Sequence, residues 1–159
     1  WSYLSLATFE LKEYKKCIEH SYKLFDLEHD GARRNSQKIY LNIANCYYHL
    51  NEKSEALNVL IESFFNDRSV HNLTQQPEAL FFLTSFILND LKPDNGEVFP
   101  IKDFKDQANS KNVQFLVKLN TRRIVHKDPD VIKIIKEMQN NYENKEILKK
   151  FINKVDQLI

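Results

Sequence analysis

The chain has 159 residues, about one domain on the usual prior of roughly 100 to 200 residues, and holds only 2 Gly and 4 Pro. A β sandwich needs many turn glycines and a doubly wound α/β fold needs them at its strand-to-helix loops, so this poverty predicts an all-α fold. Apolar residues at 42% and charged residues at 28% argue against disorder, and the net charge of +1 gives no global pull toward nucleic acid or an anionic membrane.

In chain order, hydrophobic spacing predicts paired helices at 1–11 with 14–28 and at 33–50 with 53–66. Shifting the sequence by 39 residues against itself lays Leu4 on Ile43, Leu11 on Leu50, Ile18 on Leu57 and Phe25 on Phe64. Small residues coincide as well, Ala7 with Cys46 and Cys17 with Ala56, which suits antiparallel helices whose backbones approach closely. Gly31, with Asn35 or Ser36 as a helix start, marks the junction between the two pairs. Pro77 suits the first turn of a helix reaching about Asn89, and "LKPDNGEVFP" reads as a loop. Short helices are expected near 101–108 and 111–125. Asp128 then caps a helix with Pro129 in its first turn, and a last helix carries Ile147, Leu148, Phe151, Ile152, Val155 and Leu158.

The order Tyr40, Ile43, Ala44, Tyr47, Ala56, Leu60 and Ser63 resembles the tetratricopeptide repeat (TPR), and Trp1, Leu4, Ser5, Thr8, Tyr14, Cys17 and Leu24 follow it less closely. Ser5 stands where the family has glycine, Thr8 where it has an aromatic, and the period is 39 rather than 34. The resemblance implies a right-handed α-α superhelix of TPR-like hairpins with a C-terminal helical cap. The expected division is 1–92 for the repeats (1–30, 33–67 and a degenerate third at 76–91) and 93–159 for the cap, in a fragment of a longer chain.

No phosphate-binding glycine loop, nucleophile elbow or metal-binding cysteine pattern is present, and the five histidines are scattered. A non-enzymatic protein without cofactor or metal is therefore expected. His49, beside Tyr48, reads as a partly buried structural histidine. Cys17 and Cys46 read as core thiols of a reducing, cytoplasmic compartment.

The resemblance also implies a peptide or protein segment bound in a groove lined by the first helix of each repeat. Asn42 is the leading candidate, because an asparagine amide can pair with both the N–H and the C=O of a bound backbone; the other reading makes it a solvent-facing polar residue. Asn45 lies one turn on, Tyr48 is the aromatic contact with Tyr47 as core, and Arg34 and Lys38, beside Arg33, offer cations to an acidic partner. A carboxylate clamp of the chaperone-binding kind is disfavoured, since Tyr3 occupies the position of its preceding asparagine. The peptide-responsive regulators of Gram-positive bacteria resemble the chain in composition, which implies a ligand-sensing alternative. A third alternative docks the terminal helices onto a larger multi-subunit assembly. Residues 110–159 carry 11 Lys+Arg against 6 Asp+Glu, so a basic contact surface competes there with a solvated helix face.

Overall fold

A computed structural model describes residues 2–27, 36–66, 76–94, 96–101, 104–139 and 141–159. Among these the fold is all-α, and no strand occurs. Eight α-helices are described: α1 (Ser2–Glu10), α2 (Tyr14–Asp26), α3 (Ser36–His49), α4 (Lys53–Asn66), α5 (Gln76–Leu91), α6 (Lys111–Thr121), α7 (Pro129–Met138) and α8 (Lys145–Leu158). Two 3₁₀ turns lie at Phe104–Gln107 and Arg123–Lys127. The expected junction at Gly31 to Asn35 and the candidate Arg34 fall outside the described residues.

The chain divides into two compact units, residues 1–73 and 74–159. α5 packs on α6, α8 and the second 3₁₀ turn, and so lies in the unit of the C-terminal helices, where the sequence division at 92 groups it with the repeats. Asn89, 4% exposed, accepts the Val98 N–H at 2.9 Å and donates to the Phe99 carbonyl at 2.6 Å, drawing the loop that follows α5 back onto the helix.

In the first unit α1 pairs with α2, α2 packs on α3, and α3 pairs with α4. The 39-residue correspondence extends to the backbone of both turns. Lys12 and Asn51 take left-handed conformations with φ 60° and 61°. Around them the Lys12 N–H reaches the Phe9 carbonyl at 2.9 Å and the Glu13 N–H reaches that of Thr8 at 2.8 Å. The corresponding bonds run from Asn51 to Tyr48 at 3.0 Å and from Glu52 to Tyr47 at 2.9 Å. This is the Schellman closure of a helix C-terminus, made here without glycine. Ile43, Ala44, Cys46, Ala56, Leu60 and Phe64 are fully buried in this unit.

In the second unit the helix starts follow the chemistry of their caps. The Ser110 hydroxyl accepts from the Val113 N–H, and the Asp128 carboxylate accepts from Asp130 and Val131 at 2.9 and 3.1 Å with Pro129 behind it. The Asn144 side chain accepts from Glu146 at 3.1 Å. The helix expected at 111–125 is interrupted at Arg122, with φ −107° and ψ 57°, and continues as the second 3₁₀ turn. Leu83, Ile87, Leu116, Val131, Ile135, Met138, Phe151 and Val155 are buried here.

Candidate functional site

Three helices of the first unit meet in a small polar cluster. The Ser5 and Ser21 hydroxyls lie 2.7 Å apart, with Cys17 Sγ 3.7 Å from Ser5 Oγ. Asn42 Nδ2 enters this group from α3, donating to Ser5 Oγ at 2.8 Å and lying 3.3 Å from both Cys17 Sγ and Ser21 Oγ. Ser5 of α1 is therefore the hydroxyl that receives α3. Cys46 faces Cys17 from the same helix as Asn42. The hydrogen bond from Cys46 pulls the Cys17 thiol down from its ordinary value, helped by Ser5, Asn42 and Ser21, and the same bond with burial pushes Cys46 up.

Asn42 is half-buried, and its Nδ2 is engaged inside the fold, joining α3 to α1 and α2. Asn45 is half-buried with its Oδ1 shielded and without a hydrogen-bond partner among the described residues. The expected split between Tyr47 as core and Tyr48 as contact is also absent, for both rings are half-buried. Burial raises the Tyr47 phenol above its ordinary value, and burial does the same more strongly at Tyr22, which bonds to Tyr47. Lys38 is exposed on α3. His49 is exposed rather than partly buried, yet its ring stacks on Tyr14 at 4.9 Å and 7° and meets Phe9 edge-on at 5.8 Å. It closes the open end of the α1–α2 turn as a structural aromatic.

The surface that sequence reasoning passed over is α1 itself. Only Ser5 and Thr8 are buried, while Tyr3 is 88%, Leu4 49%, Leu6 58% and Leu11 70% exposed. At the positions 39 residues on, Ile43 and Cys46 are wholly buried, whereas Leu4 and Ala7 face solvent. A helix that is apolar all round is normally covered all round. The signal was present in "SYLSLATFE", which contains a single charge.

The pairing chemistry expected at Asn42 is found at Asn89, which holds one backbone N–H and the neighbouring C=O of an extended segment, belonging to the chain itself. Among the described residues no group of three or more His, Cys, Asp or Glu could hold a metal ion, and no helix is long and apolar enough to cross a membrane. Comparison with protein-family models, with curated proteins and with solved structures finds no match to this chain.

Proposed function

We propose that the chain is a non-enzymatic, cytoplasmic binding scaffold whose first unit is a pair of TPR-like hairpins that takes a protein segment along its first helices. The observation that carries this reading is the bare apolar surface of α1, where Tyr3 and Leu6 stand more than half exposed, with Leu11 exposed in the turn that follows. A contiguous apolar face of this kind marks an interaction surface, and an exposed tyrosine supplies large contact area at small entropic cost. The matched Schellman turns at Lys12 and Asn51 support the repeat character of the two hairpins. In this reading Asn42 positions α1 and α3 relative to each other, and contact with the ligand passes to Tyr3 and Leu6.

Peptides selected from a displayed library against the intact chain test the reading. Tyr3→Ala and Leu6→Ser should each weaken the selected ligands about tenfold or more, the loss expected for a central anchor, with the helical circular dichroism unchanged. Selected ligands that bind both variants as tightly as the parent chain would overturn it.

A further inference from the structure

One face of α3 receives α2. Cys46 bonds Cys17, Asn42 Nδ2 lies 3.3 Å from Ser21 Oγ, and Ile43, at helical spacing from both, is wholly buried. Leu50, whose N–H reaches the Cys46 carbonyl at 3.0 Å, continues this face and is half-buried. Thirty-nine residues earlier the same positions hold Tyr3, Leu4, Ala7 and Leu11. The backbone repeats, since the Leu11 N–H reaches the Ala7 carbonyl at 3.0 Å. The covering does not, for all four of these residues are exposed. α1 thus presents, bare, the face on which its counterpart receives a helix.

The surroundings of this face select its occupant. The hydroxyls of α1 are engaged away from it: Ser5 meets Ser21 and Asn42, and Thr8 Oγ1 donates to the Leu4 and Ser5 carbonyls at 2.7 and 3.0 Å. An extended segment laid on Leu4, Ala7 and Leu11 would find no partners there for its own N–H and C=O groups, whereas a helix satisfies its backbone internally. Ala7, at the position of Cys46, leaves room for a second helix to come close. α2 is small in turn where it meets α3, with Cys17 and Ser21 wholly buried four residues apart and Ile18 beside them 9% exposed. A second copy of the chain has no such helix to offer. The face of α2 is taken by α3, and the equivalent Ala56, Leu57 and Leu60 of α4 are at most 2% exposed.

We propose that the strip formed by Leu4, Ala7 and Leu11, with Tyr3 at its edge, docks an amphipathic helix of a partner protein whose contact face has the pattern of α2. Two small residues four apart lie over Ala7, and larger apolar residues on either side meet Leu4 and Leu11. The partner helix packs on α1 as α2 packs on α3, adding one helix to the row in the first unit. This surface is distinct from the groove, because Leu6 precedes Ala7 by one residue and so points about 100° away from it.

The probe is a fluorescein-labelled peptide of residues 13–27 carrying Cys17→Ala, with Glu19 and Lys23 joined as a lactam; that pair already meets at 2.9 Å on the exposed side of α2. Titrated with the intact chain into the high micromolar range, its anisotropy should rise to saturation. Leu4→Asp and Ala7→Arg should each weaken binding about tenfold or more, while Leu6→Ser should leave it unchanged. Both positions are exposed, so the two variants should keep their circular dichroism. His20→Pro in the peptide, which breaks its helix, should abolish binding. Absence of binding, binding indifferent to Leu4→Asp and Ala7→Arg, or equal binding of the His20→Pro peptide would each overturn the proposal. So would sedimentation showing the chain alone to be a dimer that Ala7→Arg dissociates, since the occupant would then be a second copy. The groove is tested at Tyr3 and Leu6 and this strip at Leu4 and Ala7, so the failure of one is told apart from the failure of the other.

Discussion

Asn42 Nδ2 lies 2.8 Å from Ser5 Oγ, so one hydrogen bond spans 37 residues and ties the first helix of the second hairpin to the first helix of the first. The acceptor lies in a buried cluster, for Ser5 is 3% exposed and the neighbouring Ser21 is fully buried, while Asn42 is half-buried. Asn42→Ala should therefore destabilise the first unit by about 1–3 kcal/mol, the range for leaving buried polar groups unpaired. Urea unfolding measures this, and a midpoint unchanged from the parent would show that the cluster does not hold the hairpins together.

Lys12 and Asn51 occupy equivalent left-handed positions, but asparagine tolerates that conformation better than lysine does. Lys12→Gly should raise stability by about 0.5–1 kcal/mol and Asn51→Gly by less. Thermal melts of both variants should rank the gains in that order.

Asn89→Ala should be among the more costly single changes in the second unit. It removes the Asn89 acceptor of the buried Val98 N–H and one donor to the Phe99 carbonyl, for about 1–3 kcal/mol. Hydrogen exchange gives the sharper measurement, since the Val98 amide should lose its protection before the amides of α7 do.

Gly96 is held to glycine by its surroundings rather than by its backbone angles. A Cβ there would lie 2.1 Å from Ser110 Oγ and 2.6 Å from Ser110 Cβ. Gly96→Ala should lower the melting temperature, and Ser110→Gly in the same background should recover part of the loss while giving up the α6 cap, worth about 1 kcal/mol.

Burial alone would raise the Asp94 carboxyl, but the backbone N–H groups of Gly96, Asn112 and Lys111 with the Ser110 hydroxyl outweigh it and hold the carboxyl below its ordinary value. A depressed folded value means that the stabilisation is present above the unfolded pKa of about 3.9 and disappears as pH falls through the folded one. Stability followed from about pH 6 down to about pH 3 should fall, and Asp94→Asn should make that fall shallower. Parallel acid curves for the two proteins would remove Asp94 from the account.

The helices were legible because their signals are local. Asp128 with Pro129, Pro77 after Gln76, and the apolar spacing of α7 and α8 each lie within a few residues. The correspondence of the two hairpins was legible because packing repeats at a fixed interval. The site was not legible, since it turned on which asparagine meets a backbone and which meets a serine. Asn42 and Asn89 are the same residue type on similar helices. They differ through Ser5, distant in sequence, and through a loop that doubles back at Val98. The bare face of α1 belongs to an intermediate class, visible in the missing charges of its sequence once the solvent exposure of each residue is known.

The matched turns at Lys12 and Asn51 also constrain how such a protein can change in length. Adding or removing one whole 39-residue block, cut at equivalent points of the two turns, joins a left-handed corner to a following helix already suited to receive it. An insertion of any other size within the helices rotates every later side chain about the axis by some 100° per residue and sends the partners of Ser5, Cys17 and Ser21 elsewhere. Viable relatives of this architecture should therefore differ by complete hairpins or by changes confined to the connections.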